Sequence, residues 1–344
     1  MFSEKDKILE CVPNFSEGND LKIISKISEA IEKTKGVKLL HTDIGKAANR
    51  TVFTFIGTPE NVEEAAFQSI KVAAEHIDMS KHKGEHPRMG ATDVCPIIPI
   101  SNSSIEDADK VAKSLSKKVG NELSIPVYNY EYSSEREYRK KLEQIRHGQY
   151  EGLRTKINIP GWEPDFGPRS FNSQSGASII GARHFLIAFN VNLETKNVKT
   201  AQHIAEEIRE SGRFVNDIYT SEMIRIPGLL KNVKAIGWYI KDFNIVQVSM
   251  NLTDFKTTPI HVVFEKIKER AKHHGTSVTG SELIGLIPSQ ALIDVGRYYI
   301  YNTNSGTSTS ELIDLAIKTL NLNSVKPFDP EKNIIENIAG IKIT

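Results

Sequence analysis

Two rhythms of apolar residues take turns along this chain. Short β-branched strings at Ile8 to Phe15, Val37 to Thr42, Thr51 to Ile56, Cys95 to Ile100 and Pro126 to Tyr130 predict strands. Between them, Pro59 to Ile77 sets Val62, Ala65, Ala66, Ile70 and Ala73 at helical spacing, with Thr58 as N-cap and Pro59 in the first turn. Ile105 to Leu123 follows the same helical pattern. The later half repeats the plan, with a strand from His184 to Leu193, a helix from Lys199 to Arg209 and paired strands at Val233 to Ile240 and Ile245 to Leu252. A second Thr-Pro pair, Thr258 and Pro259, then opens a helix from Ile260 to His273. Each half approximates β-α-β-β-α-β. The expected fold class is therefore α+β: two duplicated ferredoxin-like lobes, residues 1–180 and 181–344, with sheets flanked by helices.

Two stretches lack either rhythm. From Pro160 to Gly181 the chain is rich in Gly, Pro, Ser and Asn and reads as irregular, either an interdomain linker or an ordered substrate loop. Trp162, Phe166 and Phe171 suit a solvated linker poorly and favour a flat ligand or lobe docking. Gly212 to Pro227 reads as an irregular surface excursion to which no role attaches.

Composition narrows the class. Apolar residues make up 39% and charged residues 25% of 344 positions, and no segment approaches the roughly 18 uninterrupted apolar residues of a membrane span. The start, MFSEKDKILECVPNF, has no hydrophobic core of the secretory kind, so a soluble cytoplasmic protein is expected. Cys11 and Cys95 lie in apolar strings without metal-ligand spacing, which favours buried reduced thiols. Net charge is +1 and the lysines are interspersed with acids, so no nucleic-acid footprint emerges. Neither G-x-x-x-x-G-K nor G-x-G-x-x-G occurs, which leaves nucleotide chemistry unsupported.

Chemistry concentrates in His82-Lys83-Gly84-Glu85-His86-Pro87-Arg88-Met89-Gly90. His82, Glu85 and His86 fit the H-x-x-E-H pattern of inverted zinc peptidases, but that pattern needs a helix. Gly84 weakens the required turn and Pro87 pushes His86 toward extended angles, so the histidines lose their common face. General acid-base chemistry suits the string better, because imidazole titrates near neutrality and an adjacent carboxylate can orient it. A solvated polar loop is the plain alternative. In the segment His41-Thr42-Asp43-Ile44-Gly45 and Asn49-Arg50-Thr51, Asp43 could orient a histidine and Arg50 grip a carboxylate, although on residue types alone an exposed turn with a surface ion pair is the commoner outcome. The polar end of Pro13 to Gly18 reads as a cap for the helix that follows.

The strings ECVPNFSEG, HTDIG, NRTV, HKGEHPRMGATDVCP, PDFGP, KNVKAIGWY, VQVSMNLTDF and GSELIGLIP, with PFDPEKNIIE near the end, together resemble the formiminotransferase family over nearly the whole chain. The resemblance implies transfer of the formimino group of N-formimino-glutamate to N5 of tetrahydrofolate, with folate as cosubstrate, no metal and a homodimer. It matches His86 to the family's proton acceptor and Asp43 to an acid beside it, with Glu85 as an alternative orienter. It lays the folate strip on Gly167, Pro168, Arg169, Ser170, Phe171, Asn172, Ser173, Gln174, Ser175 and Gly176. The pattern departs at Ser175, where an animal relative carries a large aromatic, and at Gly212 to Pro227. Arg50 and Arg88 are the candidates for gripping substrate carboxylates, and a cleft between lobes would exclude water. In animals the domain is fused to a cyclodeaminase, so ammonia release here would need a separate enzyme. Rival readings are an enzyme consuming 5-formyl-tetrahydrofolate, a zinc hydrolase, and a non-catalytic folate-binding protein.

Overall fold

The structure is a computed structural model that describes residues 2–3, 5–46, 48–84, 86–216, 222–241, 243–300 and 307–341. Contacts divide the chain into two units, Met1–His184 and Phe185–Gly340, each built of helices on a sheet. No helix among the described residues is long and apolar enough to cross a membrane.

In the first unit the elements run β1 (Ile8–Cys11), β2 (Asn14–Phe15), α1 (Leu21–Glu32), β3 (Val37–Gly45), β4 (Arg50–Gly57), α2 (Pro59–His76), β5 (Thr92–Ser101), α3 (Ile105–Glu122), β6 (Val127–Asn129), α4 (Leu142–Arg146), α5 (Gln149–Lys156) and β7 (Ser178–Ala182). β1 and β2 are one line of chain interrupted at Val12 and Pro13. That line lies between β4 and β5, antiparallel to both. β3 pairs outside β4, and β7 and then β6 extend the other side in parallel. The helices form where the 3.6-residue rhythm lies, and each buries its apolar stripe: Ile24, Ile27 and Ile31 of α1, Val62, Ala66 and Ile70 of α2, and Ala112, Leu115 and Val119 of α3. These close over Leu9, Phe53, Phe55 and Ile97, each large side chain contributing ~1.5–3 kcal/mol by leaving water. Cys11 and Cys95 are buried free thiols in the same core, their sulfurs 3.4 Å apart.

In the second unit the order is β8 (Ile187–Leu193), α6 (Val198–Ile208), β9 (Arg213–Asn216), β10 (Met223–Ile226), β11 (Val233–Ile240), β12 (Ile245–Leu252), α7 (Ile260–His273), β13 (Val278–Ile284), α8 (Ser289–Tyr299), α9 (Thr309–Leu320), α10 (Pro330–Asn333) and α11 (Ile335–Ala339). Its four-stranded sheet is ordered β11-β12-β8-β13. Both units thus carry a β-α-β-β-α-β run whose strands lie second, third, first, fourth across the sheet. The two hairpins between middle strands also match. Each has four residues from a lysine to an asparagine with positive φ, Lys46 to Asn49 (φ 47°) and Lys241 to Asn244 (φ 52°).

Three expectations change. The stretch to Gly181 is not irregular throughout: residues 178–182 are the fully buried strand β7, short and glycine-bearing, without the alternation that marks a one-sided strand. Gly212 to Pro227 contains the antiparallel pair β9 and β10, whose side chains are largely exposed and so lack an inward apolar face. Thr258 does not cap α7; its hydroxyl donates to the Lys231 carbonyl, and Pro259 stands at the cap.

Candidate active site

Three separate loops of the first unit meet at Asn49. Its side-chain oxygen accepts from the Gly18 N–H at 2.9 Å and from Asn19 at 2.8 Å, and its amide donates to the Lys83 carbonyl at 2.8 Å. Its own carbonyl sits 3.0 Å from His82 Nε2. The Thr51 hydroxyl donates to the Glu17 carbonyl at 2.6 Å. At Gly84 a β-carbon would lie 2.4 Å from the Ala48 carbonyl oxygen, so this loop can close on the hairpin only with glycine there. The strings at 10–18, 41–52 and 82–90 therefore form one surface, and residues 82–84 and 86–88 are not helical.

Within it, Arg50 Nη1 lies 2.6 Å from His86 Nε2. A guanidinium offers only hydrogens, so Nε2 is the acceptor and the ring is neutral with its hydrogen on Nδ1. Nδ1 is buried and completes no hydrogen bond. Burial first, then the cations Arg50 and Arg146, push His86 down to about 4, while Asp93 and the Pro87 backbone pull weakly the other way. Asp93 is 1% exposed; it accepts from the Met89 N–H at 2.8 Å and from Arg146 Nη2 at 2.5 Å. It thus fixes the turn after His86 and carries the counter-charge for Arg146, which projects from α4. Burial lowers the Arg50 guanidinium's pKa, and Arg146 adds to the effect.

Arg88 faces a different partner. Its two terminal nitrogens donate to Glu151 at 2.9 and 2.7 Å, and its Nε donates to His82 Nδ1 at 3.1 Å. Glu151 is held below its ordinary range by that guanidinium. Both His82 nitrogens are therefore engaged, and no group of three or more His, Cys, Asp or Glu side chains able to hold a metal occurs among the described residues. Asp43 is exposed on β3, where its charge favours the Arg50 cation; Arg50, rather than Asp43, touches the imidazole. Glu85 lies outside the described residues.

The strip from Gly167 to Gly176 is ordered and tethered at both ends. Gly167, at φ +83°, packs on the Ile125 carbonyl, whereas Gly176, at φ +66°, packs on Met89 and Gly90. Ala91 N–H donates to Ser175 O at 2.8 Å and Ala177 N–H to Met89 O at 3.1 Å, which fastens the strip's end to the histidine loop. Asn172 Oδ1 accepts from the Gln174 and Ser175 amides, and the Tyr150 hydroxyl donates to Ser173 O at 2.6 Å. Arg154 covers the half-buried Phe171 ring at 4.6 Å. Ser175 and Gly176 are buried, while Gly167, Arg169, Ser170, Ser173 and Gln174 are exposed and Pro168 is half-buried.

Sequence reasoning did not single out Asp93, Arg146, Asn49 or Glu151. Asp93 left a trace, a lone acid in the otherwise apolar string TDVCPIIPI, where an unpaired carboxylate would be costly. Arg146 left none, because its partner is 53 residues away.

A half-buried imidazole flanked by arginines is an arrangement that can exchange a proton beside an anionic group. The chain belongs to the formiminotransferase family. Residues 8–183 match the formiminotransferase domain, N-terminal subdomain, and residues 188–339 match the formiminotransferase domain. It is 40% identical to a glutamate formimidoyltransferase of Streptococcus pyogenes, over 96% of this chain and 98% of that one. It is 44% identical to one of Thermoplasma acidophilum, over 85% and 92%. A formimidoyltransferase-cyclodeaminase of Dictyostelium discoideum is 46% identical across 98% of this chain, which spans only 62% of that relative's length.

Proposed function

We propose that this chain transfers the formimino group of N-formimino-L-glutamate to N5 of tetrahydrofolate, giving 5-formimino-tetrahydrofolate and L-glutamate in histidine degradation. The carrying observation is a half-buried, neutral imidazole, His86, at the junction of three loops in a chain whose relatives of nearly equal length bear the name glutamate formimidoyltransferase. N5 must lose a proton as it attacks the amidine carbon, and the departing glutamate nitrogen must gain one. His86 takes the first and delivers the second, a role worth about 10²–10⁴-fold. Asp93 acts through the Met89 turn and Arg146, holding the ring in place and moderating the positive field around it. Arg50 is the carboxylate grip. Arg88, already paired with Glu151, serves as framework.

Phe171 and the exposed backbone from Gly167 to Gln174 offer a flat, hydrogen-bonding strip suited to tetrahydrofolate, and the burial of Ser175 and Gly176 supports an anchoring role for them. The common strand order of the two units supports duplication of one ferredoxin-like lobe. A cytoplasmic homodimer is the expected state. The decisive experiment mixes purified protein with tetrahydrofolate and N-formimino-glutamate and follows 5-formimino-tetrahydrofolate by absorbance. Product forms if the reading holds. No product, with turnover of 5-formyl-tetrahydrofolate instead, replaces it.

A further inference from the structure

Among the wholly or partly buried arginines of the first unit, Arg88 pairs with Glu151, Arg136 with Glu163, Arg139 with Asp165 and Arg146 with Asp93. Arg50 has no such partner among the described residues. Its recorded hydrogen bond goes to His86 Nε2 at 2.6 Å, and it thereby occupies the one lone pair with which a neutral imidazole can accept a proton. Among the described residues, a cation without an ion-paired carboxylate and a base with its lone pair taken are held against each other. Guanidinium pairs far better with a carboxylate, in bidentate geometry, than with an imidazole.

Resting on the formimino-transfer reading, we propose that Arg50 is a carboxylate-operated latch: the α-carboxylate of the formimino donor draws the guanidinium off His86 Nε2 and so uncovers the base only when the donor is bound. The choice of carboxylate follows from connectivity. In the donor, the α-carboxylate and the nitrogen to be protonated share one carbon, so a group poised at that nitrogen is within reach of it. The carboxylates of the folate tail are separated from N5 by an aromatic ring. Once uncovered, Nε2 takes the proton from N5 as the new carbon–nitrogen bond forms. It returns that proton to the glutamate nitrogen as the old bond breaks, so no proton is gained or lost overall. The charged groups acting on the ring are Arg50 from β4, Arg146 from α4 and Asp93 from β5, with Asp43 of β3 acting on Arg50.

The test is an NMR titration of the ¹⁵N-labelled His86 ring in the full chain. Ligand-free protein should keep His86 neutral down to about pH 4. Saturating L-glutamate, which carries the same α-carboxylate, should raise the midpoint by more than one pH unit. 4-Aminobutyrate, which lacks that carboxylate, should leave it in place, and pteroylglutamate should do the same. Arg50→Gln should raise the midpoint without any ligand, and Arg50→Met, which also removes the charge, provides the same comparison should the glutamine variant fold poorly. A midpoint that ignores both L-glutamate and the Arg50 substitutions, in protein that still makes 5-formimino-tetrahydrofolate, overturns the latch and spares the transfer reading. Protein that makes no product overturns the transfer reading, whereas a midpoint raised by Arg50→Gln upholds the masking of His86.

Discussion

At the scale of single residues, burial moves two ionisable groups in opposite directions. His86 is kept uncharged by burial and neighbouring cations, which leaves the ring unprotonated at neutral pH but a weak base while those cations stay beside it. His86→Ala should retain folate binding, measured by fluorescence quenching, and lower turnover at least ~100-fold; a near-normal rate would remove the imidazole from the chemistry. Glu10 is 2% exposed on β1, and burial pushes it up to about 7, with Arg183 pulling weakly the other way. The folded chain therefore binds this proton more tightly than the unfolded chain, whose carboxyl keeps its ordinary value of 4.5. The stability so contributed is complete below the unfolded value and is lost as pH rises through about 7. Glu10→Gln should raise the unfolding free energy, read from urea titration, by roughly 1–3 kcal/mol at pH 8 and change it little at pH 4.5. Equal shifts at both pH values would contradict the burial argument. The roles of individual residues were legible where local chain chemistry declared them. Gly84 and Pro87 forbid a helix, so the non-helical path through His86 could be read directly. The guanidinium on His86 could not be, since the hairpin brings Arg50 to the ring through a fold that periodicity does not specify.

Elements decide how firmly those residues are held. α4 has only five residues, too few to stand alone, yet it must hold Arg146 against Asp93. Lys156 solves this from α5. Its ammonium donates to the carbonyls of Gln144, Ile145 and His147 at 3.2, 2.6 and 2.9 Å, and lies 3.9 Å above the Trp162 ring. Burial, then Arg139, push this lysine down to about 8. Lys156→Met removes the donor from three carbonyls and should cost about 1–3 kcal/mol in chemical denaturation, with a fall in turnover as Arg146 loosens. Unchanged stability would mean that water replaces the ammonium. The long elements were legible because each has one buried stripe: β11, β12 and α7 end where the pattern ends. β7, buried on both faces, and the β9–β10 pair, neither of whose faces is fully buried, lack the contrast on which such reading depends.

Over the whole molecule, the two units repeat one strand order but not one chemistry. At the position after the positive-φ asparagine the first unit has Arg50 and the second has Ile245. The shared strand order was anticipated from the Thr-Pro pairs, one of which proves incidental; the Lys-x-x-Asn turn is the feature that the two units have in common. Each unit also has its own apolar core. Gly176→Ala would place a β-carbon 2.2 Å from the Met89 carbonyl oxygen in a backbone conformation with φ +66°, a strain of the kind that costs ~1–3 kcal/mol. Hydrogen exchange should accelerate in Met1–His184 and remain unchanged in Phe185–Gly340. Acceleration spread evenly over both would show a single cooperative unit instead.

The two-ended tether of the 167–176 strip sets where this scaffold can be altered by evolution or by design. One end is pinned on Ile125 and the other on Met89 and Gly90, so length changes between Arg169 and Ser173 can bulge outward while both anchors stay seated. An extra residue between Ser175 and Ala177 has no such outlet, since the neighbouring amides are committed to the turn beside His86. The middle of this segment is free to vary, whereas Ser175, Gly176 and Ala177 are tied to the loop that carries His86.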